Sequence, residues 1–310
     1  MAKSRPPLAL IAGPTASGKS ALALRLAQAA NGVVINADSA QIYADLAIVA
    51  ASPTREEQGE APHRLYGVRD GAQACSAADW AAMAKREIAL ALEDDRLPIL
   101  VGGTGLYLRT LLEGIAPIPD IDPEIRDAIR AAPVEENYAA LRDADPTAAK
   151  KLNSGDSLRV ARALEVVRST GHPLSYWQRR KEGGIGDDVD LRPLVLVPPR
   201  DWLIERCDRR FARMIDEGAI EEVAALLERG LDPALPVMRA IGVPEIAAHL
   251  RGETSREAMI EAGRIATRQY AKRQYTWFRH QPPEDWPRFT RALDEEGAME
   301  EAVALLTQSL

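Results

Sequence analysis

Cysteine is nearly absent from this 310-residue chain: Cys75 and Cys207 stand far apart, with no C-x-x-C spacing. Neither a disulfide scaffold nor a zinc site is indicated, and two reduced, buried or half-buried thiols are expected. Long apolar runs are lacking as well, and none approaches the length of a membrane span. The opening MAKSRPPLALIAG has a basic start, but its apolar run is short and leads straight into a glycine loop, so no signal peptide is expected. Repeats and low-complexity tracts are missing, and so is an excess of positive charge. With 39 basic against 46 acidic residues the net charge is −7, which argues against non-specific coating of nucleic acid but leaves room for a local basic face. These absences leave a soluble cytoplasmic protein. At 46% apolar and 27% charged residues it can fill one large domain with an appendage, or two moderate ones.

What is present concentrates first in residues 8–20, LALIAGPTASGKS. An apolar run that breaks into G-x-x-x-x-G-K-[ST] and continues as ALALRLAQAA is the sequence form of a phosphate cradle between a strand and a helix. Glycine lets backbone N–H groups turn toward phosphate oxygens where a Cβ would block the approach. The cradle comprises Gly13, Pro14, Thr15, Ala16, Ser17, Gly18, Lys19 and Ser20. Lys19 supplies a point charge, the helix opening beside it adds a positive dipole end, and the Ser20 hydroxyl suits Mg²⁺ bridging phosphate oxygens. The motif reads phosphate and not a nucleobase, so a nucleoside triphosphate and any other diphosphate ester remain open at this point.

Two further apolar runs end in polar residues. Residues 33–35 form a buried-strand candidate that terminates in Asn36-Ala37-Asp38-Ser39, and residues 99–101 form another that runs into Gly102-Gly103-Thr104, followed by a helix over 106–112. In a parallel sheet the carboxyl ends of strands share one edge, where ligands bind, so Asp38 is expected near the cradle. Many phosphate-loop ATPases end a strand of the second kind in an aspartate for Mg²⁺. Here two glycines and a threonine stand instead, which suits close approach of a ligand and disfavours a motor-type ATPase.

The rest is mostly helical. A helix is expected over 76–93, loop with short helical pieces over 43–70, and a strand over 193–199. A long helix over 201–230 is interrupted at Gly218 and closed by Gly230, and further helices cover 255–278 and 294–306. Between residues 117 and 190 helical segments alternate with proline and glycine breaks and no strand run appears. The fold class expected is therefore α/β, a P-loop parallel-sheet core over 1–117 and 190–310 with C-terminal helices, and an inserted helical domain over 118–189. In the helix over 255–278, Arg264, Arg268 and Lys272 recur every four residues, with Arg273 and Arg279 close by and Tyr270, Tyr275, Trp277 and Phe278 interleaved. Cations with aromatic faces suit an RNA backbone and unstacked bases. The competing reading is an aromatic face in the core and a solvated basic face.

In their order, GPTASGKS, DSAQIY, GGTGLYL, MRAIG and RQYAKRQYTWFR resemble the bacterial tRNA dimethylallyltransferases, or tRNA isopentenyltransferases, across residues 8–278. The resemblance implies transfer of a dimethylallyl group from dimethylallyl diphosphate to N6 of the adenosine immediately 3′ of the anticodon, with Mg²⁺ as cofactor. Its partners are the tRNA anticodon stem-loop and the isoprenoid diphosphate; no membrane is involved, and one phosphate site with one RNA face asks for nothing beyond a monomer. Lys19, Ser20 and Arg239 are candidates to act on the diphosphate and Asp38 to take the amino proton, although Arg239 also fits RNA and Asp38 also fits a Mg²⁺ ligand or helix cap. Implied tRNA contacts are Asp38, Ser39, Ala40, Gln41, Thr104, Arg126, Leu158, Arg159, Val160, Ala161, Arg162, Arg239, Gly242, Lys272, Arg273 and Arg279. Two stretches depart from the family pattern. Val49-Ala50-Ala51-Ser52 lacks a threonine and a lysine, and MRAIG is followed by Val243-Pro244. Rival readings are an adenylate isopentenyltransferase, a P-loop small-molecule kinase, and a non-catalytic RNA-binding P-loop protein.

Overall fold

The computed structural model describes residues 5–307. The chain divides into two compact units, one running up to Leu111 and again from Gly186 onward, the other formed by Leu112–Ile185.

The first unit is built on a parallel sheet. Strand β1 (Pro7–Ala12) feeds helix α1 (Lys19–Ala29), which returns to β2 (Gly32–Asn36). A short helix α2 (Arg55–Glu60) and a two-residue strand β3 (His63–Arg64) follow, then α3 (Ala77–Glu93), β4 (Leu97–Gly102) and α4 (Gly105–Glu113). The spatial order is β3-β2-β4-β1-β5-β6, every pair parallel, with β5 (Asp190–Leu196) and β6 (Arg288–Phe289) supplied by the later part of the chain. Because β4 lies between β1 and β2, the ends of these three strands gather at one edge, where a doubly wound sheet presents its ligand crevice.

Continuous apolar strands are what a sheet covered on both faces requires. On one face, Ala9, Ile11, Ile99, Val101 and Leu196 pack against Leu22 and Leu26 of α1 and against Ala302 and Leu306 of helix α14 (Ala298–Thr307). The alternate residues Leu8, Leu10 and Leu100 are fully buried too. Helix α3 is anchored by Trp80, whose indole Nε1 donates to Asn36 O at 2.8 Å and stacks on Tyr107 at 4.7 Å between ring centroids.

Strand β5 begins and ends a few residues before the expected 193–199, because its register with β1 starts at Pro7↔Asp190. Pro193 fits inside it. The odd-numbered N–H groups of this strand point toward β6, as Val195 N to Pro287 O shows, and β6 pairs only with Val195 and Leu196, so no bond is lost at 193. Strand β3 carries no apolar signal of its own and is set by pairing with Val34 and Ile35.

The second unit holds α5 (Pro123–Ala131), α6 (Val134–Ala144), α7 (Pro146–Lys151), α8 (Ser157–Thr170) and α9 (Leu174–Trp177). Its core is small: Ile129, Leu141, Ala149, Val160, Ala163 and Leu164. Its ends lie a little before the expected 118 and 189, because Ile115 pairs antiparallel with Glu182 and Gly114 packs on the same residue. Back in the first unit, α10 (Arg200–Asp216) and α11 (Ala219–Glu228) meet at Gly218. A short 3₁₀ turn over Pro236–Arg239, α12 (Val243–Leu250) and α13 (Arg256–His280) follow. Helix α13 turns a stripe of Met259, Gly263, Thr267, Ala271, Gln274 and Phe278 inward. Gly263 leaves the space that the Phe211 ring of α10 fills. No helix among the described residues is long and apolar enough to cross a membrane.

Candidate active site

The loop from Gly13 to α1 turns sharply, with Ala16 at φ 62° and Gly18 at φ 91°. A left-handed alanine is costly and persists only where its neighbours hold it. Arg206 of α10 does so, donating from Nε to Ala16 O at 2.9 Å, and Asp294 lies 3.8 Å from the same guanidinium. From the other side, Gln274 accepts from Thr15 N at 2.7 Å and donates from Nε2 to Gly103 O at 2.9 Å. This buried amide therefore ties the cradle to the end of β4.

What the fold leaves unsatisfied in the loop is on the side of donors. Helix α1 has no side-chain cap, so its first N–H groups are open to an anion. The Ser17 hydroxyl is buried with no partner. Lys19 donates from Nζ to Pro14 O at 2.6 Å, which holds it folded over the loop. Burial pushes its ammonium down to about 8, with Asp38 pulling up and Arg210 pushing down further. Arg210, also depressed by burial and also raised by Asp38, shares this small electrostatic cluster.

Asp38 follows β2 as expected. Its backbone N–H donates to Asn36 Oδ1 at 2.7 Å, and its own Oδ1 accepts from Ala40 N at 3.0 Å. The carboxylate is thus held by its own turn, with no helix to cap. It lines a cavity of ≈ 250 Å³ whose wall includes Thr15, Ser39, Ala40, Arg210 and Arg239. The rings of Tyr43, Tyr107, Phe211 and Tyr270 line the same space. Burial, with help from Asp38, keeps the Tyr270 and Tyr107 phenols neutral far above their ordinary range.

Several sequence expectations change here. The glycines after β4 face protein: a Cβ at Gly102 would strike the Ala37 backbone, one at Gly103 the Gln274 amide, and one at Gly105 the Trp277 ring. Close approach is their role, but strand to loop and helix to loop. Thr104 accepts from Ser39 N at 3.0 Å through Oγ1 and donates from the same atom to Ser39 Oγ at 3.3 Å. Gln41 spends its amide on Ala50 O and Ala51 O, at 3.1 and 2.7 Å. That bond, with Glu222 accepting from Ile48 N and Val49 N at 2.8 Å each, holds the atypical loop without the missing threonine and lysine. Gly242 caps α12 at φ 100°, its N–H on Glu245, and Pro244 sits in the first turn, where no N–H is needed.

The basic helix is divided. Arg268 is paired with Asp208 of α10 at 3.4 Å, which ties α10 to α13, and with Glu261 of its own helix at 2.6 Å, while Arg264 is 3.9 Å from the same Glu261. Phe278 is fully buried, so that aromatic belongs to the core. Lys272, Arg273 and Arg279 are exposed and have no acidic partner among the described residues. In the helical unit, Leu158, Arg159 and Arg162 reach solvent to different degrees. Val160 is wholly inside that unit's core and Ala161 packs on it, which removes the Val160 side chain as an RNA contact. Arg126, on α5, has its Nε buried without a partner.

Arg206, Arg210 and Gln274 are the residues that pattern reading passed over. Both arginines flank the apolar seam of Leu203, Cys207 and Phe211. In sequence they are indistinguishable from a solvated face.

Strand order, loop and uncapped helix define a phosphate-loop α/β protein whose cradle opens beside an apolar cavity with one carboxylate. Comparison with known proteins narrows this. Residues 41–281 match the model of the IPP transferase family. The tRNA dimethylallyltransferase of Sphingopyxis alaskensis is 64% identical over 287 residues, 92% of this chain and 94% of that protein, and that of Erythrobacter litoralis is 64% identical over 289 residues, 92% and 91%. The structure resembles the full-length tRNA isopentenylpyrophosphate transferase of Bacillus halodurans with a TM-score of 0.71, 32% identity and coverage of 97% and 96%. It also resembles a eukaryotic dimethylallyltransferase acting on tRNA, with a TM-score of 0.76, 30% identity and coverage of 88% of this chain and 69% of that one. The chain belongs to the IPP transferase family.

Proposed function

We propose that the chain transfers a dimethylallyl group from dimethylallyl diphosphate to N6 of the tRNA adenosine immediately 3′ of the anticodon. The observation that carries this reading is the sharing of one cavity by Asp38 and Arg210 beside the cradle, with aromatic walls between polar ends.

The diphosphate binds across the cradle N–H groups and the Ser17 hydroxyl, with Lys19 released from Pro14 O to meet it. As the allylic C–O bond breaks, negative charge grows on the diphosphate. Lys19 and Arg210, already stripped of much of their water, stabilise that charge more strongly than exposed cations would. The developing allylic cation lies among aromatic rings, whose faces favour positive charge. An adenine amino group is a poor nucleophile, because its lone pair is delocalised into the ring. Asp38 takes the N6 proton as the C–N bond forms, and its geometry is kept by the Ala40 N–H bond. Arg239, exposed at the cavity wall, serves the diphosphate or the RNA strand. Extracting the adenine from the anticodon-loop stack costs a few kcal/mol, roughly, which contacts to the loop must offset.

Ser20 fits Mg²⁺ in a limited way. It offers one hydroxyl, and no group of three or more His, Cys, Asp or Glu gathers among the described residues, so the remaining ligands would be diphosphate oxygens and water. When bound there, the ion supplies charge neutralisation for the leaving diphosphate. All groups named come from one chain, which supports a monomer, and the cytoplasm, where tRNA is available, is its place of action.

The deciding experiment is incubation with unmodified tRNA, Mg²⁺ and dimethylallyl diphosphate, followed by nucleoside analysis. N6-dimethylallyladenosine is the expected product. Absence of any N6-alkylated adenosine, with ATP consumed on a small acceptor, overturns the reading.

A further inference from the structure

One buried ionisable group has no part in the chemistry above. Glu165 lies on α8 with its side chain 2% exposed. Burying a carboxylate is expensive unless cations compensate, and two do. Arg130, near the end of α5, donates from Nε to Oε1 at 3.0 Å, and Arg162, one turn earlier on α8, brings Nη1 to 3.6 Å from Oε2. Oε2 accepts no hydrogen bond, so its hold on Arg162 is Coulombic alone. The side chains of Arg130 and Arg162 are 64% and 42% exposed, so both guanidinium heads reach water while the carboxylate between them does not.

Packing does not call for an acid at this position. The core of this unit is built of apolar side chains, and an apolar side chain at position 165 would carry no desolvation cost. What a buried carboxylate adds is direction: it fixes where a long, mobile arginine presents its remaining donors. Arg162 also lines a cavity of ≈ 330 Å³ inside this unit, together with Lys151, Arg159, Ser175 and Gln178. Arg159 is 3.6 Å from Asp156, while Lys151 has no acidic partner among the described residues. Three cations with hydroxyl and amide groups around a cavity of this size match a phosphate with its sugar. They do not match an apolar peptide.

We infer that Glu165 is a positioning residue for RNA: it anchors Arg162 from beneath, at the mouth of this cavity, so that the guanidinium is set to receive a backbone phosphate, while Arg130 supplies the second charge that lets the carboxylate stay buried. An arginine already fixed loses less freedom on binding than a free one. The inference rests on the reading of tRNA as substrate, but only on RNA binding and not on transfer.

Equilibrium binding of unmodified tRNA, measured without isoprenoid donor, tests it separately from the transfer assay. Glu165→Gln is expected to weaken tRNA binding about 10-fold, the scale of one charge-assisted contact. Arg162→Ala should weaken it at least as much, and the double variant no more than Arg162→Ala alone, because the glutamate acts through that arginine. Glu165→Leu separates position from stability. It is expected to keep or raise the thermal midpoint while still losing tRNA affinity. Affinity within twofold of wild type in the folded Glu165 variants overturns the inference. So does unaltered binding by Arg162→Ala, or losses that multiply in the double variant; an ion pair that only ties α5 to α8 would lower the midpoint and leave affinity unchanged.

Discussion

At the cradle, Lys19 and Arg210 are held in half-buried surroundings beside a single carboxylate, and burial drags both below their ordinary values. In the helical unit and along the outer face of α13, Arg159, Arg162, Lys272 and Arg279 stand at the surface or at the rim of a cavity, held at most by ion pairs. On the proposed function the two sets of cations do different work. A charge meant to act on a breaking bond gains from a dry site, since its interaction with the transition state is not screened there. A charge meant to hold an RNA strand gains from exposure, since it releases counterions from phosphate and can be matched along a long surface. The cost is salt sensitivity.

The sharpest break in this comparison would come from Asp38→Asn. Loss of a positioned proton acceptor should lower the single-turnover transfer rate by about 10²- to 10⁴-fold while tRNA binding persists. A near-normal rate would remove Asp38 as the base.

Next in size is the clamp on the cradle. Gln274→Leu leaves Thr15 N and Gly103 O without partners in a buried setting, so unfolding free energy should fall by roughly 2 to 4 kcal/mol, as read by denaturant titration. Unaltered stability would mean that the cradle does not depend on its tie to β4.

A pH series on pyrophosphate affinity probes the half-buried cations directly. Free Lys19 has its ammonium pushed down to about 8, and a bound anion must raise it again. Below pH 8 the lysine is protonated with or without ligand, and affinity should be flat on its account. As pH climbs above about 8, binding must take up a proton and affinity should fall toward about 10-fold per pH unit. Lys19→Met should bind weakly and lose that added slope.

The smallest effects belong to α13. Lys272→Glu should reduce the slope of log affinity for tRNA against log salt by roughly 0.7 to 0.9 for each phosphate it ceases to neutralise. Arg268→Glu should flatten it less, because Asp208 and Glu261 already neutralise that arginine. Its larger consequence should be a weaker seam between α10 and α13. Equal slopes would return both residues to one class.

Much of the cradle was legible because its chemistry is local. Gly13, Gly18, Lys19 and Ser20 must fall at fixed spacing in one turn, and an aspartate closing an apolar strand is visible wherever that strand can be seen. The insertion was visible as a long stretch with helical periods and no strand signal. Strand β3 was not, since two residues carry no period, and Glu165 was hidden among ordinary helix formers. The glycines ending β4 were read correctly as sites of close approach but with the wrong occupant, since Ala37 and Gln274 come from distant parts of the chain.

What the sequence determined by itself was therefore everything set by neighbours in the chain: the phosphate loop, the alternation of strand and helix, and the order of motifs that resembles one family. Tertiary structure alone decided which of many arginines face Asp38, which are spent on acids, and which glutamine braces the cradle. Those roles depend on contacts such as Arg206 with Ala16 and Gln274 with Thr15, residues separated by most of the chain's length. A side chain's charge is written in the sequence, but its dielectric surroundings and its partner exist only once the chain has folded.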